Sequence, residues 1–207
     1  MSYPQGSDPN EVKVWDIVVR VGHWSLVVLF AAAYLTGEIE VKTLHAWAGY
    51  AIIGIVLFRI LWGFVGTRHA RFSDFVFGWT ETAAYARSLL TPRPKHYLGH
   101  NPLGGWMVVA LLATVLLVSW TGLELYAAEG KGPLAETQLT IVAPAQAHDR
   151  DGDGDDDHES LWEDAHELFA HLSLLLVLLH VAGVVVASLI HRENLVRAMI
   201  TGRKRAE

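Results

Sequence analysis

With 207 residues, of which 52% are hydrophobic and only 18% charged, the chain is too apolar for an ordinary soluble domain and reads as a membrane protein. A formal net charge of −6 gives no reason to expect nucleic acid as a partner. Cysteine is absent, which excludes disulfides, iron–sulfur clusters and the thioether attachment of a c-type heme.

A hydrocarbon core of about 30 Å takes roughly 20 helical residues to cross, and stretches near 14–36, 43–66, 104–127 and 163–190 are long enough. Lipid cannot satisfy open backbone groups, and none of these stretches alternates like a barrel strand. The expected fold is therefore all-α, an integral membrane four-helix bundle forming one domain over 1–207, without internal repeat.

The first span carries Arg20 and His23. Its apolar run ending in Ala31, Ala32 and Ala33 looks like the end of a signal peptide, but cleavage there would remove His23, so the segment is expected to stay as a span. After a short turn from Gly37 to Lys42, the second span begins with His45 and carries Arg59 further along. The following loop holds Pro92, Pro94 and Pro102, and a periodic stretch from Thr80 to Leu90 suggests a short interfacial helix. His69, His96 and His100 in that loop are expected near the surface, solvated or shuttling protons.

The third span offers no candidate ligand. Between it and the fourth lies a long acidic connection over 128–160 containing Asp149, Asp151, Asp153, Asp155, Asp156, Asp157 and Glu159. Ser160-Leu161-Trp162-Glu163 fits a capping box, which starts the fourth helix near 161 and puts His166 in its second turn.

Basic residues set the orientation. Lys13, the cations of the second loop (Arg68, Arg71, Arg87, Arg93, Lys95) and those of the tail (Arg192, Arg197, Arg203, Lys204, Arg205) outweigh Lys42, Lys131 and Arg150. Both termini should then be cytoplasmic and the acidic loop periplasmic, in a multi-pass protein of the bacterial inner membrane.

His166 and His180 are fourteen residues apart, which on a helix stacks them on one face about 21 Å apart. His171 points to another face. Neutral imidazole is a good iron ligand, and a noncovalently held heme needs an axial residue from each side. His45, just after the outer turn, matches the depth of His166, whereas His23 lies thirteen residues before Thr36, about 20 Å deep, and matches His180. Two heme b groups are expected, one on each pair.

Arg20 shares a helical face with His23, and Arg59 lies fourteen residues below His45 on its face. Both suit heme propionates, or alternatively snorkel to the nearby interface. Gly22, Gly49 and Gly183 adjoin the histidines and either admit a flat macrocycle or simply let helices pack.

Three readings of the acidic loop stay open. Asp149, Asp151, Asp153 and Asp155 resemble half of a calcium loop, although Ser160 stands where a bidentate glutamate is needed, and His148 and His158 could add ligands for a softer ion. The run could be a solvated segment. It could also steer a basic periplasmic carrier such as a c-type cytochrome.

Val14-Trp15-Asp16 with Arg20-Val21-Gly22-His23-Trp24, His45-Ala46-Trp47-Ala48-Gly49-Tyr50, Phe58-Arg59-Ile60-Leu61-Trp62-Gly63 and the paired His166 and His180 together resemble the bacterial cytochrome b561 family and the b-type cytochrome subunits of nickel-iron hydrogenases. The resemblance implies two b hemes held by one histidine on each of the first two helices and two on the fourth. It also implies electron transfer between ubiquinone or menaquinone and a redox partner, with quinol/quinone oxidoreductase activity as a corollary. The long acidic loop departs from the pattern and leaves the partner open, as are homodimer formation and the direction of flow. The rival readings are a nonredox ion or proton transporter and a membrane-anchored divalent-metal binder.

Overall fold

A computed structural model describes residues 11–91, 95–135 and 154–205, with the side chains of 154–160 outside that description. Asp16 starts α1 (Ile17–Glu38): its Oδ1 accepts from the Val19 N–H at 2.8 Å, satisfying one of the donors a helix start leaves open. A tight turn with Glu40 in the left-handed region (φ 58°) reverses the chain into α2 (Lys42–Val65). Asn101 caps α5 (Pro102–Ala128) at 2.8 Å from the Gly104 N–H, and Pro102 stands at the helical position where its missing donor costs nothing. The last long helix, α6, covers Gly154–His191. These four helices are long and apolar enough to cross a membrane.

Between α2 and α5 run a 3₁₀ turn (Arg68–Ala70), α3 (Phe72–Phe75) and α4 (Trp79–Ser88), the last in the place of the expected interfacial helix. Two features depart from the expectations. α6 begins at Gly154, before the capping box, because an acidic run suits the positive end of a helix as well as the Ser160 box does. His166 consequently lies about three turns into α6, although the apolar span itself begins at Leu161.

The tail also folds. Asn194 caps α7 (Leu195–Thr201), which ends on Gly202 in the left-handed region (φ 81°). The Gly202 carbonyl accepts from the Val14 and Trp15 N–H groups, and β1 (Glu11–Lys13) pairs antiparallel with β2 (Arg203–Arg205). Val14, Trp15, Val19, Ala70 and Ala198 form the buried apolar cluster at this terminal end, joined by Trp62 and Met199.

Elsewhere the spans point apolar side chains outward: Leu189 is 74% exposed and Val28 67%. In water such faces would be unstable, whereas lipid covers them without cost. α1 packs along α2 and α5 along α6, with α2 also meeting α5. Among the described residues, α6 approaches α1 and α2 at most at isolated points. Two helix pairs thus face each other across a gap.

Candidate functional site

Histidines bridge that gap at two levels. Near the end opposite the termini, the His45 and His166 rings have centroids 5.8 Å apart. Toward the terminal end, His23 and His180 are 6.4 Å apart. The two rings of each pair come from opposite helix pairs. His171 stands apart, with a side chain 58% exposed and Glu167 at 3.9 Å.

The outer rings are held from behind. His45 Nδ1 lies 2.8 Å from the Ala33 carbonyl, and His166 Nδ1 lies 3.0 Å from the Val118 carbonyl and 3.3 Å from Thr121 Oγ1. A carbonyl oxygen can only accept, so each Nδ1 carries the proton and each Nε2 keeps its lone pair. Glycines make room one turn beyond each carbonyl. A Cβ on Gly37 would sit 3.3 Å from the His45 ring, and one on Gly122 would sit 2.9 Å from His166 Cε1.

The terminal-side pair is less tied. His23 Nδ1 is enclosed without a hydrogen-bond partner among the described residues, and its ring meets Trp24 edge-on. Arg20 turns toward the tail, donating to the Ile200 carbonyl, while its Nε is enclosed and unpartnered. Arg59 lies over Phe72 and Phe75, at 5.6 and 5.9 Å from the ring centroids, with Nη1 enclosed and without a hydrogen-bond partner among the described residues.

His100 is not the surface residue its loop position suggests. It is wedged between Trp15 and Phe75, with centroids at 4.7 and 4.6 Å. Burial, then the charges of Arg59 and Lys204, push it down to about 3, so the ring is neutral at physiological pH.

The family model for prokaryotic cytochrome b561 matches residues 14–202, nearly the whole chain. The chain belongs to the prokaryotic cytochrome b561 family. This family member is 27% identical to a probable Ni/Fe-hydrogenase B-type cytochrome subunit of Bradyrhizobium diazoefficiens, over 93% of this chain and 85% of that protein. The protein of the same designation in Azotobacter vinelandii is 29% identical over 92% and 87%. A probable Ni/Fe-hydrogenase 1 B-type cytochrome subunit of Escherichia coli K12 is 25% identical over 63% and 64%. No solved structure matches the chain. Family membership makes this a heme-binding membrane protein of electron transport, with heme b as its cofactor.

The donor set fits that cofactor. Metal–imidazole bonds of about 2 Å on either side of an iron, plus the ring radii, bring centroids to about 6 Å, the spacing of both pairs. Beside Gly49 and Gly183 nothing lies within 4 Å of a would-be Cβ, leaving open space next to His45 and His180. Enclosed nitrogens of His23 and Arg59 have no hydrogen-bond partner among the described residues.

Sequence reasoning missed Gly37, Gly122, Val118 and Thr121, which position the outer rings, and Glu124, a buried carboxyl in α5 whose Oε1 has no partner among the described residues. Glu124 could have been found as an ionisable residue inside a span. Asp149, Asp151 and Asp153 lie outside the described residues, as does the Asp155 side chain. Among the described residues no His, Asp and Glu group is arranged to hold a metal ion.

Proposed function

We propose that this chain is a two-heme electron conduit of the inner membrane, exchanging electrons between the quinone pool and a redox protein at the opposite face. The observation that carries this reading is the pair of imidazole couples, His45 with His166 and His23 with His180, set at two levels of one bundle. Heme b, when bound, supplies a one-electron couple at each level. His45 and His166 offer Nε2 because Ala33 and Val118 hold their Nδ1 protons, a backing that fixes tautomer and ring direction. His45 with His166 and His23 with His180 would hold the hemes from both sides, and hemes held so would supply electron transfer rather than oxygen chemistry. Arg59 keeps an enclosed guanidinium nitrogen with no hydrogen-bond partner among the described residues, which a heme carboxylate would satisfy, whereas Arg20 already donates to the Ile200 carbonyl.

The cation distribution supports cytoplasmic termini, which puts the His23 level on the cytoplasmic side and the acidic connection in the periplasm. The relatives' designation as hydrogenase subunits supports a nickel-iron hydrogenase as the protein partner. A second reading, docking of a basic carrier, is favoured by the acidic run from Asp149 to Glu159, and it requires association that slows as salt is raised.

Heme quantification with reduced-minus-oxidised spectra tests the conduit. His45→Ala and His166→Ala should each lose one heme, and His23→Ala and His180→Ala the other. Retention of both hemes in all four variants defeats the reading.

A further inference from the structure

We propose that His100 is a further cofactor-positioning residue: its enclosed Nδ1, together with Nη1 of Arg59, receives the carboxylate arm of the heme flanked by His23 and His180. The inference rests on the assignment of that heme in the preceding section and adds a residue the ligand pattern does not contain.

Both nitrogens are enclosed, and among the described residues neither has a hydrogen-bond partner. An unpaired guanidinium nitrogen is costly to bury, and a second unsatisfied donor beside it compounds that cost. One side chain orients both groups. Phe75 is fully buried, lies tilted against His100 with ring centroids 4.6 Å apart, and is 5.9 Å from the Arg59 guanidinium. Phe75 cannot move aside, because its backbone oxygen lies within van der Waals overlap of the Cβ position of Gly105, and Phe72 similarly fills the Cβ position of Gly63.

Trp15 meets the His100 ring edge-on, with ring planes at 61°. The groups that bear on it electrostatically are Arg59, Lys204, His180 and His69, all cationic or imidazole. Asp16 bears on Arg59 and Asp74 pairs with His69, but among the described residues no acceptor is hydrogen-bonded to either enclosed nitrogen, and a carboxylate from outside the chain can accept from both at once. The His45 level has no such seat: both Nδ1 atoms donate to carbonyls, and Lys42, Glu129 and Lys131 pair with one another.

The test is a redox titration of the full-length, heme-loaded protein in detergent, with heme content measured in parallel. His23→Ala first identifies which of the two potentials belongs to the terminal-side heme. Losing a donor to its carboxylate leaves more negative charge near the iron and favours the ferric state. His100→Phe, which keeps the ring packing, should lower that potential by a factor of ten in the reduction equilibrium, about 59 mV for one electron, and leave the other potential in place.

His100→Gln, which keeps an N–H, should recover most of the shift. If the phenylalanine disturbs assembly, the smaller His100→Leu, which also lacks a donor, gives the same reading. An unchanged potential in whichever of the Phe and Leu variants assembles overturns the proposal and means that water alone fills the seat. If instead His23→Ala retains both hemes, the ligand assignment itself fails, and this inference with it.

Discussion

Each outer imidazole is fixed by a carbonyl and a glycine one turn apart on the neighbouring helix: Ala33 and Gly37 behind His45, Val118 and Gly122 behind His166. The same device, used twice, sets direction by the hydrogen bond and distance by the missing side chain. Gly122→Val should therefore displace the His166 ring and cost about 1–3 kcal/mol, as overpacking does. Loss or spectral change of one heme, with the other intact, is the expected result by difference spectroscopy. His171→Ala should change neither heme, since that exposed side chain meets only Glu167. That His45 meets His166 and His23 meets His180 was legible because helical rise and rotation are fixed quantities, so depth follows from counting. The backing of the rings was not legible. Which glycine of α5 faces His166 depends on how α5 rotates against α6, and a uniformly apolar helix gives no stripe from which to read it.

At the scale of elements, Asp16 does more than cap α1. It also accepts from Trp62 Nε1 at 3.2 Å and from Thr67 Oγ1, tying the start of α1 to the end of α2. Burial works to raise this carboxyl, but the hydrogen bonds from Thr67, Val19 and Trp62 outweigh it and hold it below the usual carboxylate value. A depressed folded value means that the stabilisation is complete above the ordinary aspartate pKa of about 3.9 and disappears as pH falls through the lowered one. Asp16→Ala should cost about 2 kcal/mol of thermal stability at neutral pH, the sum of a lost cap and stranded donors, and should flatten the acid limb of the stability profile. The early start of α6 shows the limit of local signals at this scale. The capping box at Ser160 pointed to a start near 161, and the helix begins earlier, at Gly154.

Across the whole molecule, two helix pairs are joined by their ends more than by their middles. The packed cluster at the terminal end and the contact of α2 with α5 hold them together, while the interior gap is bridged by histidines. Removing heme should therefore loosen the molecule as a whole. A ligand at a hundred times its Kd adds about 2.7 kcal/mol, so heme-depleted protein should melt well below the loaded form in a thermal scan. The terminal clamp has its own buried anchor: Lys204 Nζ reaches Glu193 at 3.3 Å and the Tyr97 carbonyl at 3.2 Å, with a side chain only 5% exposed. Burial would raise Glu193, yet the hydrogen bond from His96 and the Lys204 charge keep it low. Lys204→Met removes the cation from that carboxylate, leaving it the His96 contact, and should cost about 3 kcal/mol, read as earlier proteolysis of the tail. Nothing in the basic composition of the tail distinguished this buried lysine from its solvated neighbours, because its partners come from distant parts of the chain.

The pairing of Glu11 with Arg205 sets a timetable for biogenesis. At translation speeds of about 5–20 residues per second, the opening strand stays without its mate for on the order of tens of seconds while every span is being made and inserted. During that interval the first two helices must hold their place without the brace that later locks them. A fusion that blocks β2 should show its damage as slow or incomplete maturation rather than as a defect in electron transfer.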